Sequence, residues 1–106
     1  MPTYMWHASY TPEGAKGLAK EGGTKRRDAV KQMVEAAGGR LHAFYFAIGK
    51  DDVVGITEYP DQAAAIGTSL AVRASGMIAS RTIVLVTPEE RDAAIKKAVA
   101  FRPPGA

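Results

Sequence analysis

The spacing of apolar and polar side chains along this chain marks four strands and four helical stretches. Residues 3–10 are rich in aromatic and β-favouring side chains and read as a strand. Thr11-Pro12-Glu13 then opens a helix, with a hydroxyl at the N-cap, proline at N1 and an acid in the first turn. Gly14, Gly17, Gly22 and Gly23 predict that this first helix is short and broken. Thr24 is expected to cap a second helix. Its apolar positions Val30, Met33, Val34 and Ala37 fall at i, i+3, i+4 and i+7, and Gly38-Gly39 ends it. Residues 40–48 and 53–59 form the strands of a hairpin turned by Gly49-Lys50-Asp51-Asp52. Asp61 caps the next helix, on which Ala63, Ile66, Leu70 and Ala74 share one stripe. A last strand lies within residues 77–86. Thr87-Pro88-Glu89-Glu90 is a capping box that opens a terminal helix carrying Ile95 and Val99.

This order, β-α-β-β-α-β with a helical appendix, divides into two β-α-β halves. Two right-handed halves interleave into one antiparallel sheet of order 4-1-3-2 with the helices on one face, an α+β, ferredoxin-like arrangement. Residues 1–100 are expected to form a single domain and residues 101–106 a flexible tail.

Helices on one face leave the other to water, and a half-wet sheet should alternate apolar and polar residues. These strands do not. Phe44, Phe46 and Ile48 point one way and Ala43, Tyr45 and Ala47 the other. Val53 and Gly55 oppose Val54 and Ile56, and Ile83 and Leu85 oppose Val84 and Val86. Both faces are largely apolar, so the second needs a cover. Burying four such side chains contributes roughly 6–12 kcal/mol per subunit before association costs. The economical cover is the same face of a second copy, which predicts a homodimer with an isologous interface.

The second hairpin, Phe44-Tyr45-Phe46-Ala47-Ile48-Gly49-Lys50-Asp51-Asp52-Val53-Val54, resembles the signature stretch of the GYD domain family of small bacterial proteins. The opening Met1-Pro2-Thr3-Tyr4 and the closing Thr87-Pro88-Glu89-Glu90 are similar to that family as well. The resemblance spans about residues 1–95 and implies a dimeric α/β barrel, in which two sheets pack face to face. It departs at Asp51, which stands where the family has its tyrosine. It implies no particular activity, because relatives in the wider superfamily include monooxygenases, isomerases and haem proteins, and fold alone does not choose among them.

Composition narrows the chemistry further. The chain has no cysteine, which excludes disulfides and thiolate catalysis. No stretch reaches the ~18 apolar residues of a membrane span, and the N-terminus shows no secretory pattern, so a cytoplasmic address is expected. The net charge of +3 is too small to imply nucleic acid, and the basic run between Lys16 and Lys31 reads as a solvated helix face. RNA-recognition motifs share this strand order, but the third strand, Val53-Val54-Gly55-Ile56-Thr57-Glu58-Tyr59, lacks their paired central aromatics. Two histidines without metal-ligand spacing give no zinc site, and the glycine clusters match no phosphate loop. No cofactor is expected.

What survives is a small-molecule binding or modifying domain; the rivals are a structural dimer module and an RNA binder. The first strand's Tyr4, Trp6 and Tyr10 should face the helices, leaving His7 on the opposite face with Met5 and Ser9. Tyr45 and Glu58 fall on the more polar side of the hairpin. His7, Tyr45 and Glu58 are therefore the candidate site, expected to line one cavity on the helix-free face. An imidazole beside a carboxylate suits proton transfer, and a nearby phenol can orient a carbonyl or hydroxyl.

Overall fold

A computed structural model describes residues 1–106. Strand β1 (Thr3–Tyr10) leads into helices α1 (Pro12–Glu21) and α2 (Gly23–Ala36). Strands β2 (Arg40–Phe46) and β3 (Val53–Glu58) form the hairpin, followed by α3 (Gln62–Ala74), β4 (Ile78–Leu85) and α4 (Pro88–Ile95). The sheet order is β2-β3-β1-β4, which is 4-1-3-2 read from the other edge, and every pairing is antiparallel.

Local chemistry accounts for most of the boundaries. Thr11 accepts from the Gly14 N–H, Asp61 from the Ala64 N–H, and Thr87 with Glu90 forms the full capping box. Gly38, at φ 82°, takes the left-handed conformation that ends α2. Two helix expectations need correction. The first helix is ten residues long and runs unbroken through Gly14 and Gly17. Gly14 is there for close approach, since a Cβ would run into the Met77 carbonyl. The break falls at Gly22 (φ 90°), so α2 begins at Gly23 with no side-chain cap and Thr24 lies inside it.

The core lies between β1 and α2, where Tyr4, Val34 and Tyr59 are buried and Val30, Ala37, Ala64 and Ala65 pack around them. Trp6 lies against Gly55 of β3, where any side chain would collide with the indole. The helix α3 sits rotated from the stripe read in the sequence. Ala64, Ala65, Thr68 and Val72 are its half-buried side, while Ile66 and Leu70 are 52% and 62% exposed. Small residues face the sheet and large ones face out. The result is an under-filled layer: a mostly hydrophobic cavity of about 100 Å³ remains between the sheet, α2 and α3.

From Val86 onward every residue is exposed. The arm gives the molecule extents of 55 × 34 × 24 Å and a radius of gyration of 16.8 Å, against roughly 13 Å for a compact 100-residue domain. No helix is long and apolar enough to cross a membrane.

Candidate functional site

The register places side chains on the helix-free face in rows across the sheet. Ala43, Ile56, Met5 and Ile83 form one row, and Tyr45, Val54, His7 and Arg81 form the next. Thr3 stands between Glu58 and Leu85 further along. The middle of the face is therefore apolar, with ionisable groups toward both ends.

At one end the β2–β3 loop folds back over β1. The Asp52 N–H donates to the Ala8 carbonyl, and Asp52 Oδ2 accepts from the Tyr10 N–H. This clamp lays Asp51 across the face. Arg81 donates to Asp51 Oδ2 at 2.7 Å, and the Ser9 hydroxyl donates to Oδ1 at 3.2 Å. His7 Nδ1 lies 3.6 Å from Oδ2, close enough for electrostatic attraction but too long for a good hydrogen bond. Partial desolvation pushes the Asp51 carboxyl up, but the Arg81 guanidinium, the Ser9 hydroxyl and His7 outweigh it and hold it below its ordinary value.

At the other end His42 Nε2 lies 3.2 Å from Glu58 Oε1. An irregularity between Leu41 and Ala43 breaks the register there, beside the Arg40–Glu58 pair. His7 and Glu58 share the face but do not meet. Val54, opposite His7, is four residues from Glu58 along β3, about 13 Å away. Tyr45 lies across Val54 from His7, about 10 Å off by strand spacing, and is 69% exposed. His7, Tyr45 and Glu58 thus share the helix-free face as expected of the candidate site, but the carboxylate beside His7 is Asp51, and the one on β3 pairs with His42.

Sequence reasoning missed Asp51, Arg81 and Ser9 as partners of His7. Asp51 read as a turn residue because nothing local shows that a loop folds back across a neighbouring strand. Arg81 could be found only from the β1–β4 register, which places it opposite His7. No group of three metal-ligating side chains gathers around either histidine. Tyr45 is the sole aromatic on this face, since Trp6, Phe44 and Tyr10 line the cavity on the other. Successive bases would find no second ring to stack on.

This chain is similar in fold to the crystal structure of MtbAldR, with a TM-score of 0.58, 16% identity, and coverage of 81% of this chain and 52% of that one. It therefore spans about half the length of that chain. A protein of unknown function from Nitrosomonas europaea, NE2512, matches at a TM-score of 0.41 and 15% identity over 98% of this chain and 96% of that one. A variant of CutA1 from Pyrococcus horikoshii OT3 matches at 0.32 and 18% identity over 92% and 99%. No curated protein matches the sequence. The model of the GYD domain family matches residues 4–95, and on that span this chain belongs to the GYD domain family.

Proposed function

We propose that the protein works as a homodimer whose helix-free faces pack together, and that it binds, or transfers a proton to or from, a small polar molecule at the rim of that interface. The observation that carries this reading is the juxtaposition on one face of an apolar row, Met5, Ile56 and Ile83, with the His7–Asp51–Arg81 cluster. Nothing within the chain covers the row, and Ile83 is 51% exposed. Apolar surface of this kind, rimmed by polar groups, is where partners associate.

Asp51 orients the imidazole of such a site by attracting the Nδ1 edge of His7. In the tautomer with hydrogen on Nδ1, Nε2 is left as the proton-accepting atom. Arg81 keeps Asp51 ionised and, being 62% exposed, can also meet an anionic group. Two copies packed through this face would fold the pair of clusters into one partly desolvated boundary, the setting in which a small molecule is held by few contacts.

Light scattering should give about twice the chain mass, and a metabolite panel read by thermal shift should yield a stabilising compound whose effect disappears in His7→Ala but persists in His42→Ala. A monomer at micromolar concentration removes the interface. A ligand indifferent to His7 removes the site. A structural dimer module is the second reading, favoured by the ion pair and hydrogen bonds that the cluster already makes within the chain. It prevails if the dimer forms but no compound shifts the melt.

A further inference from the structure

Two buried polar atoms have no hydrogen-bond partner, Thr57 Oγ1 and Arg26 Nε, and both belong to residues that line the cavity between the sheet and the helices. An orphaned buried hydroxyl or guanidinium N–H is costly, and a site that retains such groups usually supplies them to something. Thr57 is 1% exposed. It faces the helices opposite Tyr4, at one end of the cavity. Arg26 stands at the other end near Tyr10, and together with Tyr10 and Ile78 it also borders a second hollow against α1. Its Nε forms an ion pair with Glu21 Oε2 at 3.2 Å but makes no hydrogen bond.

Tyr4 and Tyr10 are six residues apart on β1 and both line the space, Tyr4 toward Thr57 and Tyr10 toward Arg26. Trp6 lies midway, close against Gly55 and edge-on to Phe44 with ring centroids 5.9 Å apart. The space is thus mostly apolar, with a cation toward one end and a hydroxyl toward the other. A water needs roughly 10–15 Å³ of such space, so the cavity of about 100 Å³ takes an unbranched chain of about eight heavy atoms.

We propose that this cavity binds a slender carboxylic acid of medium chain length, with its carboxylate on the Arg26 guanidinium, its apolar body over Trp6 and a hydrogen-bonding far end at Thr57. A ligand carboxylate can take the Arg26 Nε–H in place of Glu21, which an alcohol or hydrocarbon does less well. Glu21, the one acid beside Arg26, ends α1 and is 33% exposed, so it can turn to water as the ligand arrives. The Tyr10 phenol stays protonated, because burial raises its pKa although Arg26 opposes the rise, and it adds a donor rather than a second anion.

Trp6 is the only tryptophan in the chain, so its fluorescence reports on the cavity directly. Titration with 6-hydroxyhexanoate should give a saturable change in emission. Hexanoate should bind more weakly, and hexan-1-ol more weakly again, by about tenfold relative to hexanoate. Arg26→Gln should bring the acids down to the alcohol's affinity, while Arg26→Lys keeps most of the binding. Thr57→Val should bind both acids equally. His7→Ala, which disturbs only the opposite face, should leave every titration unchanged, so the two sites stand or fall separately. Circular dichroism melts establish that each variant is folded. The inference is overturned if no compound gives a saturable change, or if a folded Arg26→Gln binds as tightly as the parent; equal affinity for the two acids in the parent removes Thr57 from the site.

Discussion

The two faces of the sheet are covered in opposite ways. One carries three helices and still encloses a cavity, because α3 turns Ala64, Ala65 and Thr68 inward and leaves Ile66 and Leu70 outside. The other carries no helix, yet its central row is as apolar as a core, and an ionic clamp from the β2–β3 loop closes one end of it. Coverage and packing are therefore separate properties. A helix lying over a sheet fills the space beneath it only if large side chains point down.

The sharpest way to break this comparison is to put a charge in the middle of the uncovered face. Met5→Arg should cost about 3–5 kcal/mol of association free energy, because the guanidinium would be buried without a partner. Sedimentation velocity should then show a monomer; an unchanged dimer would mean that this face is not the interface. On the covered face, Gly55→Ala should destabilise by about 1–3 kcal/mol, since the new Cβ meets the Trp6 ring and the cavity offers the ring only a strained retreat. Chemical denaturation measures it, and a neutral result would show that the cavity is wide enough to absorb the shift.

Asp51→Asn should have a smaller effect, visible mainly in its dependence on pH. The folded-state pKa of Asp51 is depressed, so its stabilising contribution is fully present above the unfolded value of about 3.9 and disappears as pH falls through the lower folded value. Parent and variant stabilities should therefore differ at neutral pH and converge in acid. A constant offset at every pH would show that the cluster works by shape rather than charge. Smallest of all, Ile66→Ser should change stability by no more than about 0.5 kcal/mol, as expected of an exposed position. A loss of 2 kcal/mol or more would return that stripe to the core.

The strand order and the starts of three helices were legible because their causes are local. Thr11-Pro12, Asp61 and the Thr87–Glu90 capping box are each settled within a few residues, and the alternation on β1 correctly set Tyr4, Trp6 and Tyr10 toward the helices. The facing of α3 was not legible. On a helix this rich in alanine, two stripes compete, and the pattern favours the one with Ile66 and Leu70, whereas the fold seats the smaller side chains on the sheet. The site was half legible. Polarity placed His7 on the correct face, but its partner depended on how residues 47–52 fold over β1, and no spacing in the sequence encodes that path.

The terminal arm has a consequence for how the molecule moves through solvent. The capping box holds the first turn of α4 with bonds made entirely between Thr87 and Glu90, so the helix owes its start to nothing on the body. The arm adds length without adding a core, and drag and tumbling are sensitive to length more than to mass. A particle with a 55 Å long axis and a 24 Å short one rotates anisotropically, slowly end over end and faster about its length. For a single copy, apparent size in solution is therefore set in large part by exposed residues outside the core.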